Sequence, residues 1–315
     1  MLKPSVLVSA AATVVLYALN YVLGAVAVRS AAPFLVLALR WAVIVIVLWA
    51  AVLTMRIRLP RGRALWEAIG VNVLTQGAQF IASYWALGHG ASAGVVALVI
   101  AMNPVMTAVA TSLILRRRQG ATAWWAVFVG AVAVMFACLP KIAADPRVGP
   151  VLVAVVLALL GLSLGSLWQG ERLRGESPIA LNAIGACVGL PLLAPFLFVA
   201  PPAMPTSWSV WLLILVIGLI GAAGTTCYSW LVRTVGAGEA SIVFSVIPAV
   251  TAVAAWVLLG DAVTVPVVIG LVLGAVACLL RVLPPGRAGA AAGARGGELP
   301  RRRRGASRGR GRVVS

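Results

Sequence analysis

Residues 84–110 read YWALGHGASAGVVALVIAMNPVMTAVA, and residues 228–254 read YSWLVRTVGAGEASIVFSVIPAVTAVA. At a constant offset of 144, Tyr84 meets Tyr228, Ala93-Gly94 meets Ala237-Gly238, and Pro104 meets Pro248. Thr107-Ala108-Val109-Ala110 returns letter for letter as Thr251-Ala252-Val253-Ala254. Further on, Gly130-Ala131-Val132-Ala133 returns as Gly274-Ala275-Val276-Ala277. Both copies are strongly apolar, so the chain is built from two related hydrophobic halves.

The residues are 62% hydrophobic and 10% charged, with a mean hydropathy of +1.07. A soluble domain carries roughly 25% charged residues, so lipid is the solvent for most of this chain. Backbone groups in lipid must pair internally, which leaves helices or a closed barrel. The apolar runs lack strict alternation, which excludes the barrel. Ten spans are expected, near 5–27, 33–55, 66–87, 93–115, 121–139, 149–169, 178–200, 209–232, 240–259 and 264–283, each close to the ~20 residues that cross the hydrocarbon. The fold class is therefore all-α integral membrane. Its organisation is a first repeat over 1–139 (spans one to five), a second over 149–283 (spans six to ten), and a tail over 284–315. The first span is too long for a cleaved signal core. The cysteines, Cys138, Cys187, Cys227 and Cys278, are far apart and show no metal spacing, so no metal site or cofactor is expected.

Loop charge sets the orientation. With a cytoplasmic N-terminus, the inner loops hold Lys3, Arg56, Arg58, Arg61, Arg63, Arg116, Arg117, Arg118, Arg172, Arg174 and Arg233. The outer loops hold Arg29, Lys141 and Arg147. This excess of basic residues inside is the usual rule for short loops. Ten spans bring the C-terminus back to the cytoplasm. Five spans per half is odd, so the second half is inverted relative to the first. The tail is Gly, Ala and Arg with little apolar bulk, and it cannot bury enough surface to fold. It suits anionic lipid headgroups. No aromatic is interleaved with its arginines to stack on bases, so no nucleic-acid partner is expected.

The doubled pattern resembles the EamA family of the drug/metabolite transporter superfamily. Each half runs Tyr84-Trp85-Ala86-Leu87 or Tyr228-Ser229-Trp230-Leu231, a small-residue segment, Asn103-Pro104 or Ile247-Pro248, then Thr-Ala-Val-Ala. Arg40-Trp41 and Leu259-Gly260-Asp261 also fit, although Arg117 stands where an acidic residue is expected. The resemblance spans residues 5–283. It implies ten helices in two inverted five-helix repeats, with export of amino acids and other small metabolites across a bacterial inner membrane.

Polar residues at three-and-four spacing mark faces that avoid lipid. Span one carries Ser9, Thr13, Tyr17, Asn20 and Gly24, with Tyr21 beside them. Span three carries Asn72, Gln76, Gln79 and Ser83, adjoining Tyr84. Such stripes line a wet cavity or bond helix to helix; their length favours the cavity. The span-eight positions equivalent to the span-three stripe are apolar, including Val216, Leu219, Ile220 and Ala223, so that side of the cavity is expected to be an apolar wall. A cavity with one polar and one apolar wall suits an amphipathic solute, such as an apolar or aromatic amino acid. Trp168, Tyr228 and Trp230 are candidate aromatic contacts; membrane tryptophans also anchor interfaces. Arg40 lies about 10 Å below the outer end of span two at 1.5 Å per residue. A charge there is a functional candidate: it holds a solute carboxylate, or it bonds carbonyls and snorkels outward. Pro104 and Pro248 interrupt equivalent spans as hinges or as ion sites, with the hinge preferred.

No carboxylate lies deep in a span, which disfavours a proton relay and multidrug-type cation efflux. The lone His89 is in an outer loop and no acid pair lies in the spans, so the chain is not expected to be an enzyme. A receptor or assembly subunit remains as an alternative. GxxxG pairs at Gly161/Gly165, Gly185/Gly189 and Gly270/Gly274 permit close helix approach. A monomer is expected, with a dimer through span ten as the other option. The partners expected are a small-molecule solute and membrane lipid. A reporter active only outside the membrane, fused after residue 315, should stay silent; activity there would place the C-terminus outside and remove the inverted-repeat topology.

Overall fold

The computed structural model describes residues 3–116, 148–199 and 204–260, with a few single positions between 124 and 132 and between 265 and 276. Every regular element among the described residues is helical. Spans one and two are α1 (Pro4–Ser30) and α2 (Pro33–Thr54). Span three is one rod in three parts: α3 (Arg63–Asn72), a π-helical stretch (Val73–Ile81) and α4 (Ala82–Gly88). Span four is α5 (Ala93–Ile100) and α6 (Asn103–Ile114). Spans six, seven and eight are α7 (Val148–Arg172), α8 (Pro178–Val199) and α9 (Trp208–Val235). Span nine is α10 (Ala237–Ala240), a 3₁₀ turn (Ser241–Ser245) and α11 (Ile247–Leu259). Among the described residues, seven helices are long and apolar enough to cross a membrane. The expected spans 121–139 and 264–283, the Gly270/Gly274 pair and the tail lie largely or wholly outside the described residues.

Local chemistry sets the helix ends. Pro4 and Pro33 open α1 and α2 at the first helical position, where a missing N–H costs nothing and φ is already helical. Ser92 caps α5, accepting from the Val95 N–H at 3.4 Å. Spans four and nine break at equivalent places. The first breaks at Ala101-Met102 before Asn103-Pro104, and the second at Val246 before Ile247-Pro248. A proline just inside a helix start cannot continue the preceding ladder of hydrogen bonds.

The most extensive contacts run between the halves. Span one packs on span eight, span two on span seven, and span six on span three. Span six also meets span four, as span one meets span nine. Exchanging the repeats turns each of these pairings into another of them, or into itself. The apolar core fills these interfaces, with Trp41, Phe244, Leu162 and Ile217 fully buried.

Glycine sets the closest approaches. A Cβ on Gly161 would stand 2.6 Å from the Leu74 carbonyl oxygen and 2.9 Å from the Gln79 nitrogen. Gly165 faces Thr75, Gly185 faces Asn72 and Gln76, and a Cβ on Gly189 would meet the Trp41 ring at 2.9 Å. Both GxxxG pairs in the described residues are therefore spent on contacts within the chain. Gly161 and Gly165 seat the π-helical stretch of span three against span six. Gly161→Ala forces a methyl onto backbone that cannot swing aside, and overpacking of this kind costs about 1–3 kcal/mol. The purified protein should melt several degrees lower with Gly161→Ala, whereas Gly94→Ala, with open space around it, should leave melting nearly unchanged. Equal melting of the two variants would contradict the packing.

Candidate functional site

The polar residues of both halves meet in two small chambers. The central chamber is lined by Tyr17, Thr75, Gln76, Gln79 and Phe80 from the first half, and by Leu162, Ser166, Gln169, Thr225, Tyr228 and Ser229 from the second. It has about 20 Å³ of room for water centres, enough for about one water. Beside it lies a chamber around Arg40 with about 10 Å³, lined by Tyr17, Asn20, Phe80, Gly221, Gly224 and Thr225 among others. Tyr17, Phe80 and Thr225 belong to both linings.

A hydrogen-bond network holds the centre together. Asn103, at the break in span four, donates to the Tyr228 hydroxyl at 3.2 Å. Its carbonyl oxygen accepts from Ser163 at 2.7 Å and from Thr107 at 3.2 Å. Gln169 donates to the Ser229 carbonyl at 3.3 Å, and Asn182 to the Ser229 hydroxyl at 3.0 Å. Spans four, six, seven and eight are thus tied through side chains at the level of the chambers. An aromatic cluster adjoins them: the Tyr17 ring sits 6.3 Å from that of Tyr228 and 5.1 Å from that of Phe244, both near edge-on.

Arg40 is 1% exposed. Its guanidinium carbon lies 4.2 Å from the Phe80 ring centre and 5.9 Å from that of Tyr84. Gly221 makes room for it, since a Cβ there would come within 2.8 Å of Nε. The Arg63–Glu67 ion pair, at 2.9 Å, is exposed and lies elsewhere. No carboxylate among the described residues pairs with Arg40.

The residues expected at the site divide into three groups. Tyr17, Asn20, Arg40, Gln76, Gln79 and Tyr228 line the chambers. Tyr21, Ser83 and Tyr84 are buried without lining either. Asn72, Trp168 and Trp230 are placed elsewhere. The Asn72 amide donates to the Ala68 carbonyl at 2.8 Å and the Leu181 carbonyl at 3.1 Å, bonding span three to span seven. Trp168 is 39% exposed and lies over Gly70; Trp230 packs at the edge of the core. Pro104 and Pro248 stand at the starts of α6 and α11.

Of the apolar wall expected from span eight, Ile220 lines the Arg40 chamber, and the rest is not found. Leu219 is 44% exposed and Ala223 is exposed, while the inward face presents Gly221, Gly224, Thr225, Tyr228 and Ser229. The π-helical stretch explains the mismatch. A π-helix bonds i to i+5 rather than i to i+4, so residues beyond it are rotated relative to those of the unbroken α-helix in the other repeat. Sequence reading missed Thr225, Ser229 and Phe80, and the central role of Asn103. The four-residue step from Thr225 to Ser229, continuing Gly218 and Gly221, was the available signal. On the far side of the π stretch lies an apolar recess of about 530 Å³, lined by Phe34, Leu74, Gly77, Trp85, Leu157 and Phe196 among others. Its lining matches hydrocarbon, not a polar solute.

An all-helical membrane chain of two related halves, closed on a polar centre, defines the class of a membrane transporter of small solutes. The family model for the EamA-like transporter family matches residues 4–139 and again 149–283, and the chain belongs to that family, whose members are transporters and not enzymes. One solved crystal structure, of a protein described in no further terms, is similar with a TM-score of 0.65 at 18% identity, covering 91% of this chain and 99% of the other. That likeness shows a shared fold. No curated protein matches the chain.

Gln79 and Ser166 line the central chamber, whereas Asn72 is bonded to span seven. In a chain freed of native cysteines, Gln79→Cys and Ser166→Cys should react with polar thiol reagents at least about tenfold faster than Asn72→Cys, which is packed against span seven. Equal protection of all three would leave the polar face serving only helix contact.

Proposed function

We propose that this chain is a secondary transporter exporting small metabolites of the amino-acid type. It works by alternating access between two inverted halves, in a bacterial inner membrane with both termini in the cytoplasm. The observation that carries the reading is the central chamber, whose polar lining comes from both halves. Its Tyr17, Phe80 and Tyr228 rings offer an apolar surface beside the amides of Gln76, Gln79 and Gln169. That pairing suits a solute with charged or polar ends and an apolar or aromatic side chain. Ligand sites usually offer about 300–1,000 Å³, and the centre holds room for a single water. Transport therefore requires the halves to separate alternately on each side. The breaks before Asn103-Pro104 and Ile247-Pro248 are the places where the helices can bend. The mechanism is rocking of one half against the other around a site near the midplane.

Counterflow in vesicles tests the reading. Proteoliposomes loaded with an unlabelled neutral apolar or aromatic amino acid should accumulate the labelled form well above protein-free vesicles. Tyr17→Ala should reduce the initial rate per folded molecule about tenfold, the equivalent of roughly 1.4 kcal/mol of lost contact. Counterflow of organic cations alone would replace this reading with multidrug-type efflux. No counterflow of any small solute would point to a receptor or assembly subunit.

A further inference from the structure

The Arg40 side chain is in a position that the protein alone does not stabilise. Its Nε and Nη1 are buried without a hydrogen-bond partner. The hydroxyls of Tyr21 and Tyr84 are also buried and unpartnered. Arg40 and Tyr84 are neighbours, the guanidinium carbon lying 5.9 Å from the Tyr84 ring centre, with no hydrogen bond of full geometry between them. The Tyr84 hydroxyl abuts Gly24, where a Cβ would stand 3.4 Å away, one turn beyond Tyr21 on α1. Taking a cation out of water is costly even after relaxation, and the Phe80 face returns only part of that cost. Each buried unpaired donor adds to the deficit. A bound anion would supply the acceptors that the protein does not.

We propose that Arg40, with the hydroxyls of Tyr21 and Tyr84, forms a binding site for a compact anion. All the unpaired groups donate hydrogen bonds, and an anion accepts from several donors at once. The room beside the guanidinium is about 10 Å³, no more than a water needs, and neither tyrosine lines it, so an anion that meets all three donors requires the side chains there to shift, as they would when the halves separate. The guanidinium fork suits a halide or a carboxylate, and a carboxylate most of all. A carboxylate would belong to the transported solute, which deepens the transporter reading by naming its charged end. A halide would be a resident ion. Both are the same chemistry at the same donors.

Binding is tested without transport, so failure here is distinct from failure of the transporter reading. The full-length protein in neutral detergent is melted at constant ionic strength, with chloride replacing methanesulfonate, whose weakly basic oxygens are poor hydrogen-bond acceptors. In a second series at fixed methanesulfonate, phenylalanine is compared with phenylalaninamide, which lacks the carboxylate. A saturable rise in melting temperature with chloride supports a resident halide, and one with phenylalanine but not its amide supports the solute carboxylate. The rise should vanish in Arg40→Gln. In the double variant Tyr21→Phe with Tyr84→Phe, half-saturation should need at least tenfold more anion. Should Arg40→Gln fail to fold, the double variant, which keeps the charge, decides alone. No saturable rise in the wild type overturns the proposal. An unchanged response in the double variant overturns it as well, since the anion would then be acting on the basic surface.

Discussion

Asn103 is the side chain on which the centre of the molecule depends. It stands where span four breaks, and it accepts from Ser163 and Thr107 while its amide reaches the Tyr228 hydroxyl. Hydrogen bonds between membrane helices average about 0.6 kcal/mol each, so three of them stabilise modestly. The larger effect is the penalty avoided, since an unpaired buried amide costs about 1–3 kcal/mol. The bonds therefore specify which helices meet more than they hold them together. Because Asn103 belongs to the first half and Ser163 and Tyr228 to the second, the arrangement fixes the register of the halves.

Glycine supplies the other half of that specification. In lipid there is no hydrophobic gain from burying one apolar helix against another, and association rests on close packing and polar contacts. Gly161 and Gly165 let span six approach the π-helical backbone of span three. Gly221 leaves space for the Arg40 guanidinium, and Gly224 packs against Leu16 and Tyr17 of span one. The chambers sit between these contacts. Removing side-chain volume at the glycines brings helices together, and the polar groups opposite them are left facing one another across a narrow gap.

The two halves perform related packing with unlike chemistry. Span eight is an unbroken α-helix, and span three carries the π stretch. π segments are rare and concentrate at functional sites. Here the segment turns Gln76 and Gln79 toward the centre, and Trp41 donates to the Gln76 side chain at 3.3 Å. The two repeats therefore differ at the chamber that both of them line.

The repeat, the membrane environment, the all-helical class and the buried stripe of span one were legible in the sequence. Composition forces the backbone into helices, and identical letters at one offset need no structure to be seen. Arg40 was legible only as a lone charge inside an apolar run, with outward snorkelling left open; the packing buries it. Which face of span three looks inward was only partly legible, since α-helical spacing was applied to residues that wind as a π-helix. Asn72 accordingly joins span seven, while Gln76 and Gln79 reach the chamber. Thr225 and Ser229 were hidden because offset alignment matches positions in sequence, and a change of helical winding alters where those positions point. Sequence spacing records neighbours along one helix; the convergence of Arg40, Tyr21 and Tyr84 depends on how three helices are rotated against each other, and tertiary packing alone decides that.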